Sequence, residues 1–363
     1  MCAAATGRRQ FLGGLLAAGL APRPTWADAG SPTFLSAAAT SDGRYLLCGI
    51  GADLTIRFRR PLPDRGHAAA AHPTRPEAVA FARRPGTFAI VIDCMTGTER
   101  AILTAPEGRH FYGHGVFSED GSLLFTTEND YEAGRGRIGI WDANAGYARL
   151  DEWDSGGIGP HDIKRLPGSD VLVVANGGID THPETGRTKL NIPTMAPNLA
   201  YIADGALLET AQLAPDLHKN SIRHLALDAQ GTVAFGMQWQ GDGVVSALVG
   251  THRQGAPMTL MEAPQPDIRN MEGYIGSIAM GADGRTIAVT SPRGGLLHLY
   301  DAASKQLIKA EALADICGVA TLGPAFAVTS GTGALRQTDG QQTIGSRQAN
   351  LQWDNHLIPI ATP

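Results

Sequence analysis

A repeated strand–turn–strand unit is the feature that most constrains how this chain can fold. Its clearest copy begins at His114, turns at Glu119-Asp120-Gly121 and continues as the β-rich run Leu123–Asp130. Asp-Gly between two such runs is a strong hairpin signal. Related units recur along the chain with a period of roughly 40 to 50 residues, which is typical of β-propellers.

Seven such units are recognisable, and each pairs a short strand of small residues with a following apolar strand. Their first strands begin at Ser36, Glu77, His114, His161, His224, Ser277 and Cys317. We therefore predict an all-β fold, a WD40/YVTN-like seven-bladed β-propeller that forms a single domain over residues 30–363. The run Asn350–Asp354 is expected to complete a blade with N-terminal strands and so close the ring.

Residues 1–29 are predicted to be a twin-arginine signal peptide. Arg8-Arg9 precede Phe11-Leu12 and an apolar stretch that runs to Ala21, and small residues near Ala29 suit cleavage. A Sec signal with chance arginines is the alternative. The twin-arginine interpretation places the folded protein in the periplasm.

Charge, hydropathy and cysteine usage narrow the classes of function. The formal net charge is −5, and no basic patch indicates nucleic-acid binding. Beyond the signal peptide no apolar run approaches the roughly 18 residues of a membrane span. Cys48 and Cys94 lie in apolar runs and are predicted to pack in the core, with a disulfide between them as the open alternative.

Histidine recurs at one position of the repeat. His114, His161 and His224 each lie seven residues before the glycine of the following turn. The first strand of a blade lines the central channel, so side chains at this position are predicted to form a ring at one channel mouth. The other units place Ser36, Ser277, Cys317 and either Glu77 or Ala78 at the same position.

This ring is the predicted functional site. Imidazole nitrogens are ligands for copper, zinc and iron, so His114, His161 and His224 are the predicted metal ligands, with iron or copper as the ion. The loops that follow the second strands return to the same face and add candidates. The possible further ligands or site liners are Glu128, Asp130, His182, Gln238, Arg293 and, from the ring itself, Cys317.

The alternative for each histidine is a structural one, since a lone histidine at a strand start is usually a hydrogen-bonding residue or a channel liner. Histidines outside the register are interpreted as structural or surface residues, namely His110, His218, His252 and His298. The long loop from Gly177 to Pro197 leaves the position of His182 open.

Six motifs connect the chain to a known family. They are Gly113–Ser118, Thr127–Tyr131, Gly159–Asp162, Ala175–Ile179, Ser221–Leu225 and Thr290–Gly295. In these motifs the chain resembles a bacterial family of exported propellers known only as domain of unknown function 1513, over about Ser36 to Ala320. The resemblance implies a role in iron handling, near imelysin-like periplasmic proteins, and implies no established activity.

A looser likeness concerns Gly159-Pro-His-Asp162, which is similar to the Pro-His-Asp of the nitrous oxide reductase propeller, where channel-mouth histidines hold a copper cluster. The present chain differs, because it shows only three histidines in register, no His-His pair and no cupredoxin domain. The likeness therefore leaves open a mononuclear site or a transient contact with iron or haem.

Three functions are compatible with these residues. The chain is expected to be a non-enzymatic periplasmic protein that binds a metal ion or metal complex for iron acquisition. The alternatives are a metal-assisted or acid/base enzyme at the same face and a scaffold that docks an imelysin-like partner. Because no Gly-x-Ser-x-Gly motif occurs, serine chemistry is not expected, and the fold alone does not choose among the three.

Overall fold

The computed structural model describes residues 23–82, 87–186 and 188–360. The predicted twin-arginine motif at Arg8-Arg9 lies outside these residues, so export stays a prediction. Residues 23–30 pack against the fold, where the Trp26 indole donates a 2.8 Å hydrogen bond to the carbonyl oxygen of His72. In the described part of the chain no helix is both long and apolar enough to span a membrane.

The strands form seven sheets, and each sheet is one blade of the predicted propeller. The first three strands are β1 (Phe34–Ala39), β2 (Tyr45–Ile50) and β3 (Ile56–Leu62). Blade 1 contains β4 (Gly66–Ala71), β5 (Glu77–Ala82), β6 (Phe88–Asp93) and β7 (Glu99–Thr104). Blade 2 contains β8 (Arg109–Phe117), β9 (Leu123–Asp130), β10 (Arg135–Asp142) and β11 (Ala148–Asp154). Blade 3 contains β12 (Pro160–Arg165), β13 (Leu172–Asn176), β14 (Asn198–Ala203) and β15 (Ala206–Gln212).

The remaining blades follow the same antiparallel order. Blade 4 contains β16 (Asn220–Leu227), β17 (Val233–Trp239), β18 (Val249–His252) and β19 (Thr259–Leu260). Blade 5 contains β20 (Ser277–Met280), β21 (Thr286–Ser291), β22 (Leu296–Asp301) and β23 (Gln306–Ala312). Blade 6 contains β24 (Ile316–Leu322), β25 (Ala325–Ser330), β26 (Ala334–Thr338) and β27 (Thr343–Gln348). The described helices are α1 (Gln265–Asn270) and the 3-10 turns Pro183–Thr185, Ile192–Thr194 and Pro215–Leu217.

The seventh, closing blade joins the two ends of the chain. Two short strands, β28 (Gln352–Trp353) and β29 (Ile358–Pro359), both pair with β1 on the side away from β2. They supply the innermost strand of this blade, and β29 contacts the inner strands β24 and β4 on either side. The predictions of a seven-bladed propeller and of ring closure by the C-terminal run are therefore confirmed.

Two of the predicted blade boundaries are wrong. Ser36 lies on β1, which is the second strand of the closing blade rather than a first strand. Glu77 begins β5, the second strand of blade 1, and the inner strand of that blade is β4. The repeat unit of these two segments starts one strand earlier than the turn glycines indicate.

Burial follows the position of a strand within its blade. Second strands such as β13 are buried along nearly their whole length, because blades stack face to face and cover both sides of them. Outer strands such as β23 alternate between exposed and half-buried residues. Cys48 and Cys94 are separate buried thiols in the core, so the alternative of a disulfide between them is wrong.

Candidate metal site: a histidine layer across the channel

The inner strands are distorted where their histidines occur. Five of the inner strands, β4, β8, β12, β16 and β24, break register with the second strand at or beside the ring position. The innermost strand of the closing blade is interrupted between β28 and β29, where His356 lies. Such bulges re-aim side chains and often occur beside functional sites. The strand β20, which carries Ser277, pairs regularly throughout.

Five imidazoles meet at this level of the channel. His67, His114, His161, His224 and His356 come from five successive blades, and we call them the histidine layer. The ring centroids of His114 lie 5.1, 5.0, 6.1 and 4.8 Å from those of His67, His161, His224 and His356, respectively. The structure thus brings together the three predicted ligands and adds two histidines that the turn-glycine register missed.

Close backbone approach makes room for the layer. Gly113, next to His114, has φ of +98°, and a Cβ atom there would lie 2.7 Å from Cδ2 of His67. A larger residue at position 113 would therefore be strained in its backbone and would push His67 out of place.

Carboxylates stand behind two of the histidines. Nδ1 of His114 lies 3.3 Å from Oδ1 of Asp162. The same carboxylate accepts hydrogen bonds from the backbone N–H groups of Ile163 and Leu225, which fixes its position. A carboxylate on one imidazole nitrogen sets the tautomer and leaves Nε2 of His114 as the ligand atom facing the channel.

A second carboxylate has the same relation to His67. Nδ1 of His67 lies 3.6 Å from Oδ1 of Asp354, whose other oxygen accepts a 2.8 Å hydrogen bond from Nε of Arg65. Neither Asp162 nor Asp354 was singled out as a site residue from the sequence. The signal for Asp162 was present, because it follows His161 directly in the Gly-Pro-His-Asp motif.

Burial favours the neutral form of three of the five histidines in the layer, His161, His224 and His356. Burial, followed by Arg223 and the neighbouring histidines, lowers the pKa of His161 well below its ordinary value. Burial and then His114 do the same to the pKa of His224, and burial and then His67 to that of His356. Burial would raise the pKa of Asp162, but Lys164 and His114 outweigh it and the net pKa is lowered. Neutral imidazoles keep the lone pairs that a metal needs.

The donor set fits a metal ion. Two groups of three histidines each place one ligand atom per residue within 4.8 Å of the others: His67, His114, His356 and His114, His161, His224. Zinc-like ions bind imidazole nitrogen at about 2.0–2.1 Å, so two ligands of one ion stand at most about 4.2 Å apart. Small side-chain rotations would close the difference. His114 belongs to both groups.

The layer divides the channel into two spaces. The axial cavity, about 300 Å³, is lined by the inner strands beyond the histidines and includes His114, His224 and His356. The mouth pocket, about 210 Å³, lies where the inner strands begin and includes His67, His161 and His224. His224 therefore touches both spaces.

Glu128 and Asp130 lie among neither set of lining residues. Both oxygens of Glu128 accept hydrogen bonds from Arg149, at 2.7 and 2.9 Å. Asp130 lies 3.4 Å from Nε of Arg137 and 3.5 Å from Nη2 of Arg109. Both carboxylates are therefore paired with arginines of blade 2, and the structure does not bring them to the histidine layer.

The remaining candidates lie at the mouth face in different relations to the layer. Gln238 lines the mouth pocket, and Arg293 stacks 4.4 Å from the ring centroid of Tyr274, which also lines it. His182 caps a 3-10 turn and lies 3.6 Å from Glu132, while its neighbour Thr181 lines the pocket instead. Cys317 lies near the backbone oxygen of Asp315 in an adjoining cleft with Arg65 and Asp354.

Comparison with known proteins places the chain by family and by fold. A family model described as "Protein of unknown function (DUF1513)" matches residues 60–360. Hydrazine synthase from Kuenenia stuttgartiensis is similar in structure, with a TM-score of 0.61 at 11% identity over 84% of this chain and 89% of that chain. At that identity the likeness concerns the propeller fold alone. No curated protein matches the sequence.

Proposed function

This chain belongs to the DUF1513 family, a family of unknown function, and from that premise we propose that it binds a transition-metal ion in the histidine layer. We base this proposal on the residues of this chain.

Orphaned nitrogen atoms carry the proposal. Nε2 of His114, both ring nitrogens of His224 and Nε2 of His356 are buried without a hydrogen-bond partner among the described residues. Each unsatisfied buried polar group costs about 1–3 kcal/mol. A metal ion coordinated by these nitrogens would offset that cost.

The donor chemistry favours a borderline ion. Neutral imidazoles suit copper, iron, zinc and nickel, and copper(II) binds such sites most tightly among the divalent ions. We therefore propose copper or iron as the resident ion. Either ion would supply Lewis acidity or one-electron chemistry when bound, while Asp162 orients the His114 ring.

The cellular setting completes the proposal. Periplasmic export rests on the twin-arginine pattern at Arg8-Arg9, and an accessory role in iron acquisition with an imelysin-like partner rests on the family resemblance. Export and the role in iron acquisition concern the cellular setting of the site, and metal binding does not depend on either of them.

Elemental analysis of the purified full chain tests metal binding. The wild type, supplied with iron and copper, is compared with a His114→Gln/His161→Gln/His224→Gln variant. The matched control is His252→Gln, a buried histidine outside the layer that is hydrogen-bonded to Tyr201. We expect about one equivalent of copper or iron in the wild type and control and none in the triple variant.

Circular dichroism of each variant shows that loss of metal is not loss of fold. Wild-type protein that holds neither ion, or a folded triple variant that retains the wild-type content, would overturn the proposal. The docking function would then be the better reading of this face.

A further inference from the structure

The two spaces on either side of the histidine layer differ in charge. The axial cavity is lined mainly by alanine and other apolar residues, with Asp162 and Lys164 beside each other at 3.5 Å. The mouth pocket is lined by Lys189 and Arg223, and no Asp or Glu is among its lining residues. A ligand that reaches the layer from the mouth therefore meets positive charge first.

The basic residues of the mouth come from three separate blades. Arg223 lies on β16 at the bulge directly before His224. Lys189 lies in the loop that follows β13 and donates a hydrogen bond to Gln240. Arg293 lies in the turn after β21 and stacks on Tyr274. Within the described residues, neither Lys189 nor Arg293 forms a salt bridge with a carboxylate.

These charges act on one another and on the layer. Burial and then Arg223 and Arg293 lower the pKa of Lys189. Arg223 also contributes to the lowered pKa of His161 and of His224. The charge of Arg223 therefore acts on both Lys189 and the two histidines. Asp162 and Asp354 line the axial cavity and the adjoining cleft, respectively, and neither is among the lining residues of the mouth pocket.

We infer that the mouth pocket is the binding site for a small anion of the carboxylate or phosphate class, held by Lys189 and Arg223 above the histidine layer. An anion there would relieve the repulsion among the cations and would accept hydrogen bonds from a guanidinium group suited to planar or tetrahedral oxyanions. Tyr112, Gln238 and Asn355 line the same pocket and supply neutral polar groups around it.

The anion also has a place in the metal chemistry, and this part rests on the proposed function. Three or more imidazoles leave an ion with an overall positive charge and room for a further ligand. An anion admitted through the mouth would reach that position and balance the charge. Small polycarboxylates, which chelate iron and copper, are the ligands that combine both properties.

Isothermal titration calorimetry tests the anion site with phosphate and citrate as probes. Titrations use chelator-treated and copper-loaded full-length protein, so that the anion site and the metal site are tested separately. Lys189→Gln and Arg223→Gln are each expected to weaken binding about tenfold or more, because each removes a charge-assisted hydrogen bond. Arg253→Gln removes a cation beside Thr232 on the opposite face and should bind as the wild type does.

Each outcome decides the inference. Binding of either probe to chelator-treated wild type, lost in Lys189→Gln and Arg223→Gln, supports the anion site even if metal binding fails. Citrate binding alone assigns a polycarboxylate, and binding of both probes assigns the wider oxyanion class. Failure of both probes to bind in the millimolar range, or equal affinity in all variants, would overturn the inference while leaving the metal proposal intact.

Discussion

Two buried histidines in this propeller have nearly the same exposure but different hydrogen-bond environments. His72 is 2% exposed and His224 is 3% exposed. Nδ1 of His72 accepts hydrogen bonds from the backbone N–H groups of Thr74 and Arg75, and Nε2 lies 3.1 Å from the carbonyl oxygen of Gly121. Among the residues that the structure describes, neither ring nitrogen of His224 has a hydrogen-bond partner.

The contrast separates a structural histidine from a candidate ligand. His72 organises the turn between β4 and β5, and its nitrogens are fully used by backbone groups. His224 is about as deeply buried, but its ring nitrogens form no hydrogen bond with the described residues, so a lone pair stays available to a ligand. Burial alone therefore does not distinguish these two histidines, whereas their hydrogen-bond environments do.

The largest expected effect concerns the satisfied histidine. Burial, followed by Arg75, lowers the pKa of His72 from 6.5 to about 4. Protonation is thus easier in the unfolded chain, so the stability from His72 is complete above about pH 6.5 and is lost as the pH falls toward 4. The loss amounts to at most about 3 kcal/mol.

Urea unfolding at a series of pH values measures this effect. In His72→Asn the side-chain oxygen can accept the same backbone hydrogen bonds without titrating, so its free energy of unfolding should fall less between neutral pH and pH 4 than that of the wild type. Parallel pH profiles of the two proteins would show that burial does not hold His72 in its neutral form.

A second effect tests the carboxylate that orients His114. Asp162→Asn keeps the shape of the side chain but removes its charge, and such changes behind a ligand cost about 10- to 100-fold in metal affinity. Competition with a chromophoric chelator measures the affinity. Asp228→Asn is the control, because Asp228 is also buried but binds only turn N–H groups in blade 4. Equal affinities of Asp162→Asn and wild type would argue against this role.

The smallest effect concerns the unsatisfied histidine in the absence of metal. His224→Leu replaces a buried imidazole without partners by an apolar side chain, so metal-free protein should gain about 1 kcal/mol of stability. Thermal unfolding in the presence of a chelator measures it. A lower melting temperature than that of the wild type would mean that His224 stabilises the fold by itself, as His72 does.

The fold could be predicted from the sequence because a glycine recurs at the same position of successive turns. The turn glycines Gly121, Gly168, Gly231 and Gly284 all have positive φ, between +63° and +80°, and Gly is the residue that adopts it without strain. The same spacing placed His114, His161 and His224 at one level of the channel, where the structure has them.

The two missed histidines lie where that spacing fails. His67 is followed by a turn through Pro73 and Pro76 rather than by a glycine seven residues later. His356 lies between two short strands whose partner, β1, is at the other end of the chain. The bulges and the carboxylates behind the rings depend on contacts between blades, and local sequence spacing does not show such contacts.

The histidine layer is complete only when the closing blade has formed. His356 reaches the layer only when β28 and β29 have paired with β1, which joins the first described strand to the last. The complete set of five imidazoles cannot exist in a ring that is still open. A ligand that requires His356 would therefore stabilise the closed ring, because it would hold in place the pairing of β28 and β29 with β1.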